Sequence, residues 1–370
     1  MNPFSFDKVT SPSQFCGRKQ ELVHLIDFME NKANVMLYGD RRYGKTSLIR
    51  KAFSEISETV LPIYVDLYSI VDEMDFAYEL YVAVEKATPK TLRSETGKLL
   101  KILSSVKGVE FKPTSTGDSF TFKPSFESKD FDKLLSSAIE LIEQYCQHSK
   151  CTHAVIAFDE FQQIAEISKV KIDAKLRTIA QMNPNVSFVF SGSKKSILRK
   201  LLNGIKQPWH GMTTPMSIKG VEIELLKDYC EQRLGGKFET DTFEWLYKTV
   251  RGQTRLILLS CYRLYSDKII NPELTHCKNV IDDLVIAFDD EFRDKFIGYS
   301  PRQKKALKAI AYSKNKNVFT ANILSKVNLT KQALNQAITA LNNADEITKL
   351  ASGSYQINNI LFSLWLESTK

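Results

Sequence analysis

The chain has 370 residues, 43% of them apolar and 25% charged, and a net charge of +8. That length and balance predict two or three folded domains and exclude a disordered or fibrous chain. The longest apolar runs, such as residues 154–158, are strand-sized, far short of the roughly 20 residues that span a bilayer.

Asp7 and Lys8 stand where a secretory signal would need an apolar stretch. Six cysteines contain no Cys-x-x-Cys pair, and a chain of this size needs no disulfide staples. Together these features predict a cytoplasmic protein with reduced thiols and no membrane partner.

In chain order, apolar residues at i, i+3 and i+4 spacing over 21–29 predict a helix, and 34–38 is a buried-strand run. After the turn 39–45, residues 46–53 read as helix and 61–67 as strand. Between about 105 and 127, two β-like runs flank Ser115-Thr116-Gly117-Asp118, the pattern of an inserted hairpin. An amphipathic helix follows over 131–145, then a strand at 153–158, a helix at about 172–182, a strand at 186–191 and a last strand near 216–220. This alternation predicts an α/β domain over 1–220, a three-layer fold in which helices cover both faces of a parallel sheet.

From 221 to 299 the strand signals stop. Four helical segments, the clearest at 253–265 and 280–296, predict a helical lid domain. From Pro301 onward the chain carries ten Lys and Arg against three acids, a balance of +7, which leaves +1 for the preceding 300 residues. Helical spacing at 302–311, 320–327 and 330–343, then two short strands around a glycine within 347–357, predict a winged helix-turn-helix domain over 300–370.

The chemistry concentrates at Gly39-Asp40-Arg41-Arg42-Tyr43-Gly44-Lys45-Thr46-Ser47, between a strand and a helix. This is the phosphate-binding loop pattern of P-loop nucleoside triphosphatases. Its glycines let backbone N–H groups face phosphates, Lys45 reaches the β and γ oxygens, and the Thr46 hydroxyl ligates Mg²⁺. A second half is expected at the end of a later strand, where Asp159 would hold Mg²⁺ and Glu160 would orient and deprotonate the attacking water. Ser193, with Ser191 as the second choice, sits at the tip of a neighbouring strand, placed to sense the γ-phosphate. An acid pair of this kind favours hydrolysis over phosphate transfer to a small molecule.

Phe15-Cys16-Gly17-Arg18-Lys19-Gln20-Glu21-Leu22, the Arg41-Arg42 pair, Phe158-Asp159-Glu160-Phe161-Gln162 and Ser191-Gly192-Ser193 together resemble the archaeal-type ATPases. These form part of the STAND branch of P-loop ATPases, related to AAA+ proteins and replication initiators. The resemblance spans nearly the whole chain. It implies that Phe15, Gly17 and Arg18 contact the adenine and ribose, with Glu21 beside Arg18, and that Arg255 reaches the phosphates from the helical lid. A solvated helix-start role for Arg255 stays open. Two positions depart from the family pattern: Met212 stands for an arginine, and Thr254 for a proline in the Gly252-Gln253-Thr254 stretch.

These features imply ATP or ADP with Mg²⁺ as cofactors. The leading expectation is a slowly hydrolysing switch that regulates a protein or DNA partner in signalling, transcription or antiviral defence. An oligomeric AAA+-like ATPase acting on DNA is the alternative, with Arg199 as its candidate finger. A nucleotide-bound structural subunit is a third reading. The winged helix suits double-stranded DNA through its lysines or a docked protein equally, its third helix having one lysine and no arginine. Cys146, His148, Cys151 and His153 lie within eight residues, but on one helix end and one strand start. Packing is therefore preferred to zinc ligation.

Overall fold

The computed structural model describes residues 2–6, 15–88, 112–113, 120–121, 128–167, 171–193, 195–198, 201–202, 208–314, 316–350 and 352–368. The chain forms two compact units, one of Val9–Lys219 and one of Met1–Lys8 with Gly220–Lys370.

In the first unit, helix α1 (Lys19–Glu30) leads to strand β1 (Val35–Tyr38), helix α2 (Lys45–Glu55), strand β2 (Val60–Asp66) and helix α3 (Glu73–Ala87). Two-residue strands β3 (Lys112–Pro113) and β4 (Phe120–Thr121) pair antiparallel. The rest of the hairpin expected over 105–127 lies outside the described residues. Helix α4 (Ser128–His148), strand β5 (His153–Asp159), helix α5 (Ile172–Met182), strand β6 (Val186–Gly192) and strand β7 (Thr214–Ser217) complete the unit. The five-stranded sheet has the order β2-β5-β6-β1-β7, and every pairing in it is parallel.

Both central strands, β5 and β6, are buried along their whole length, which is why they read as unbroken apolar runs. Their alternation assigns each residue to one face. Ala154, Ile156, Phe158, Phe188 and Phe190 pack with α3, α4 and α5, whereas Val155, Ala157 and Val189 pack with α1 and α2. On the first face the rings of Phe158, Phe188 and Phe190 stack with centroids 5.7 to 6.1 Å apart, and Trp209 meets Phe190 edge-on at 4.9 Å. The period of two carries Asp159 and Ser191 onto the α2 face, and this positions the site.

The last strand is Thr214–Ser217, slightly earlier than its expected place at 216–220. Its register is set by the four residues of β1, from Val35↔Thr214 to Tyr38↔Ser217.

The second unit begins with helices α6 (Ile223–Leu234), α7 (Thr242–Thr249), α8 (Thr254–Ser266), α9 (Leu274–Ala287) and α10 (Asp289–Gly298). Five helices therefore stand where four were expected, because the stretch 280–296 is not one helix. Phe288, at φ −105° and ψ 12°, breaks it. The reason is tertiary: Asp289 at the new helix start accepts bonds from Trp365 Nε1 (2.7 Å) and Arg293 Nε (2.6 Å), and Phe292 turns inward against Phe362.

Helices α11 (Pro301–Ser313), α12 (Ala321–Val327) and α13 (Lys331–Asn343), then the antiparallel pair β8 (Ile347–Lys349) and β9 (Tyr355–Ile357), build the winged helix. Thr320 and Thr330 cap α12 and α13 through their hydroxyls. A terminal helix, α14 (Ile360–Ser368), was not anticipated from the sequence. It ties the winged helix to α10 through Phe292, Phe296, Phe362 and Trp365, while Arg251 donates to Ile357 O at 2.7 Å. The first described residues also belong to this unit: Asn2 Nδ2 donates to Tyr262 O (2.9 Å), and Phe6 packs on the Tyr262 ring. No helix of the described residues is long and apolar enough to cross a membrane.

Candidate functional site

The loop 39–44 leaves the end of β1 and enters α2, and its two glycines are there for different reasons. At Gly39 a Cβ would stand 2.4 Å from Ile218 O, because Ile218 N bonds to Tyr38 O at 2.7 Å and draws the chain after β7 against the loop. Gly44 meets nothing, but its φ of +83° is a left-handed conformation that side chains resist. Beyond it, the first N–H groups of α2 have no partners within the helix and form its positive end, a seat for an anion.

Lys45, the first residue of α2, is 6% exposed. Its Nζ donates to Gly39 O (2.8 Å) and Asp40 O (3.0 Å). Burial pushes its pKa below the ordinary lysine value, opposed by the nearby charges of Glu160, Asp159 and Asp40. The two acceptors of its Nζ are neutral backbone carbonyls, in whose place a phosphate oxygen would be a charged one.

Asp159, 3% exposed at the end of β5, gathers hydroxyl donors from three elements. Thr46 Oγ1 on α2 donates to its Oδ2 at 2.5 Å, Tyr64 OH on β2 to the same oxygen at 2.9 Å, and Ser191 Oγ on β6 to Oδ1 at 2.7 Å. The backbone N–H of Glu160 adds a fourth bond, to Oδ1 at 3.1 Å. Burial and then the Asp159 charge drive the Tyr64 phenol well above its ordinary pKa, so it remains a donor. Arg50 lies over the Tyr64 ring at 4.2 Å. Thr46 and Asp159, adjacent hard oxygen donors, are a set that fits Mg²⁺.

Glu160 is half-buried in a left-handed conformation, φ 52°, and its carboxylate accepts a bond from Gln162 Nε2. Ser193 Oγ, just past β6, is buried with no hydrogen-bond partner among the described residues. The two serines expected to compete as sensor thus differ: Ser191 is committed to Asp159, and Ser193 is not.

The other expected contacts surround the loop. Arg18 is 5% exposed; its Nη2 donates to Tyr43 O (2.7 Å) and Lys219 O (2.6 Å), and its Nη1 pairs with Glu21 Oε1 at 3.3 Å. Its guanidinium therefore fixes the loop backbone to the end of the first unit. Phe15 and Tyr43 pack against the α1/α2 core, Gly17 has φ 64°, Asp40, Arg41 and Arg42 are exposed, and Ser47 is half-buried. Arg255 belongs to the second unit, with its guanidinium 6.0 Å from the Phe6 ring. Arg199 lies outside the described residues. His153 Nε2 bonds to Met29 O (2.9 Å) and Cys151 Sγ to Glu58 O (3.5 Å), both packing roles. Among the described residues no group of three or more His, Cys, Asp or Glu is arranged to hold a metal.

Two residues escaped the sequence reading. Tyr64 shares the parity of the strand that faces α2, a signal legible only once its pairing with β5 is known. Gln162 closes the stretch 158–162 that carries the family resemblance, but only its acids were given roles.

No family model and no curated protein matches the sequence. Solved structures do match in fold. The Walker-type ATPase of Pyrococcus abyssi superposes with a TM-score of 0.62 at 16% identity, covering 95% of this chain and 96% of that one. The ORC2 protein of Aeropyrum pernix, in ADPNP–ADP complexes, gives 0.55 at 13% identity over 98% and 97%. The ORC1 protein of the same organism, in complex with DNA, gives 0.50 at 12% identity over 98% and 94%. With its phosphate-loop geometry, parallel sheet, helical segment and winged helix, the chain has the fold shared by the archaeal Walker-type and ORC-like P-loop ATPases.

Proposed function

We propose that the chain binds Mg·ATP on the loop 39–47 and hydrolyses it slowly, as a nucleotide-dependent switch for a protein or DNA partner. The observation that carries this reading is the Asp159 carboxylate. It holds the hydroxyl of Thr46 from the loop helix, and the adjoining Glu160 lies within electrostatic reach of the buried Lys45. An acid that contacts the loop helix and has a second acid beside it suits water attack on a phosphate bound there. Bound ATP supplies the phosphoryl group and Mg²⁺ neutralises its charge, held by Thr46 and Asp159.

Lys45 and the α2 N-terminus bind and orient the phosphate oxygens. Glu160 accepts the proton of the attacking water as the new O–P bond forms and the P–O bond to the departing ADP breaks. Ser193 offers its hydroxyl to the γ-phosphate, and only a contact that distinguishes ATP from ADP shifts a conformational equilibrium. The setting in signalling, transcription or defence follows from the STAND resemblance.

A second reading, an ATPase that acts on DNA as an oligomer, is favoured by the +7 charge of residues 301–370 and by the fold likeness to an ORC1 protein in complex with DNA. ATP turnover and molecular mass, measured with and without duplex DNA, test both. Slow turnover indifferent to DNA supports the switch. Turnover stimulated strongly by DNA in a ring-sized species refutes it.

A further inference from the structure

We propose that Gln162 is the positioning residue for Glu160: its side-chain amide fixes the carboxylate that receives the proton of the attacking water. The proposal rests on the hydrolytic reading above.

Gln162 is 1% exposed, in the single 3-10 turn Phe161–Gln163 that follows β5. Its Nε2 donates to Glu160 Oε2, whereas its Oε1 is buried with no partner among the described residues. A buried amide that leaves its acceptor unbonded costs stability, about 1–3 kcal/mol for such a group. Structure alone therefore gives little reason for this residue, and an apolar side chain of the same length would fit better. What the amide does supply is a donor to the one carboxylate that needs a fixed direction.

The surroundings hold the amide in place. Phe161, fully buried, packs on Phe190 at 4.4 Å and on Phe158 at 5.8 Å, which pins the turn to the sheet. On the other side the Gln162 amide fills the space beside the bare Cα of Gly192. A Cβ there would stand 2.1 Å from Oε1 and 3.3 Å from Cδ. Glycine at position 192 is thus the space that Gln162 occupies. The tip of β6 accordingly touches Asp159 directly, through Ser191, and reaches Glu160 through the Gln162 amide beside Gly192. Glu160 itself has a left-handed backbone, φ 52°, an uncommon conformation for a residue with a side chain.

Misplacing a catalytic group by about 1 Å costs up to about 100-fold in rate. The test replaces Gln162 by methionine, similar in length and without polar atoms, and separately Gly192 by alanine, which displaces Gln162 without altering it. For each, kcat with saturating Mg·ATP, Kd for a non-hydrolysable ATP analogue, and melting temperature are measured. The expected result is kcat lower by about 10- to 100-fold in both, with Kd within about twofold of the unsubstituted protein and Gln162→Met melting no lower than it. Because the two residues act as a unit, Gln162→Met added to Glu160→Gln should cause no further loss.

Unchanged kcat in Gln162→Met, in a protein where Glu160→Gln abolishes turnover, overturns the inference and leaves the hydrolytic reading intact. So does a further loss in the double variant. Absence of turnover in the unsubstituted protein overturns both. If Gln162→Met fails to fold, a folded Gly192→Ala with normal kcat overturns the inference on its own.

Discussion

Ser191, within β6, and Ser193, just past its end, lie two residues apart, yet the structure predicts opposite behaviour when each is replaced by alanine. Ser191 Oγ is fully buried and donates to Asp159 Oδ1 at 2.7 Å. A hydrogen bond to a charged acceptor contributes about 1.5–3 kcal/mol. Asp159 keeps the hydroxyls of Thr46 and Tyr64 and the Glu160 N–H, so the lower end of that range, about 1.5 kcal/mol, applies.

For a unit of this size each kcal/mol lowers the melting temperature by about 2–4 °C, so Ser191→Ala should melt about 3–6 °C lower without added nucleotide. Ser193→Ala removes a buried hydroxyl that has no partner among the described residues and should melt within about 1 °C of the unsubstituted protein or above it. With nucleotide the order reverses. Ser193→Ala should lose about 5- to 150-fold in its preference for ATP over ADP, the worth of giving a buried donor a phosphate oxygen. Differential scanning fluorimetry and nucleotide titration read both quantities. A Ser193→Ala variant that melts below Ser191→Ala, or that keeps the ATP preference, would refute the assignment.

Glu160→Gln should keep ATP binding and lower turnover by about 10²–10⁴-fold, measured as phosphate release beside retained nucleotide; unchanged turnover removes Glu160 as the base. Burial lowers the Lys45 pKa beneath its ordinary 10.5, so between the folded value and 10.5 the unfolded chain binds more protons than the native one. Stability relative to Lys45→Met should therefore be flat below that window and rise with pH across it, while Lys45→Met loses thermal stabilisation by ATP. A difference that falls with pH would contradict this. Gly39→Ala, whose Cβ meets a backbone carbonyl, should cost about 1–3 kcal/mol. Gly44→Ala, strained only in φ, should cost about 1 kcal/mol. Urea unfolding distinguishes the two, and equal costs would reject the distinction.

The phosphate loop and the Asp159-Glu160 pair were legible because each is local: consecutive residues at the end of an apolar strand. The parallel sheet followed from alternating strand and helix signals. What stayed hidden depended on distant pairing. Tyr64 reaches Asp159 only because β2 lies beside β5 in the register Asp66↔Asp159. The break at Phe288 depends on Trp365, 77 positions away, and the spacing of 280–296 alone continues a helix without interruption. The terminal helix α14 was missed because it is mostly buried, and its sequence Ile-Leu-Phe-Ser-Leu-Trp-Leu carries little amphipathic contrast.

The same partner pattern indicates where discrimination between nucleotides arises. Lys45 and Thr46 already hold bonds, to Gly39 O and Asp40 O and to Asp159. Contacts they make with phosphate exchange one hydrogen bond for another, so the net gain is about 1 kcal/mol each rather than the full strength of the bond. The α and β phosphates are shared by ATP and ADP, so gains there bind both alike and shift no equilibrium. Ser193 gives up no bond to the described residues, since its hydroxyl is buried without a partner among them. A γ-phosphate oxygen within its reach would recover a buried donor's whole penalty, about 1–3 kcal/mol, or roughly 5- to 150-fold in favour of ATP. On the proposed reading, the loop's contacts with the α and β phosphates are thus the less selective part of the site. Selectivity on that reading comes from γ-phosphate contacts, through Lys45 and through Ser193 just past β6, while Ser191 holds Asp159 and Gly192 makes room for Gln162.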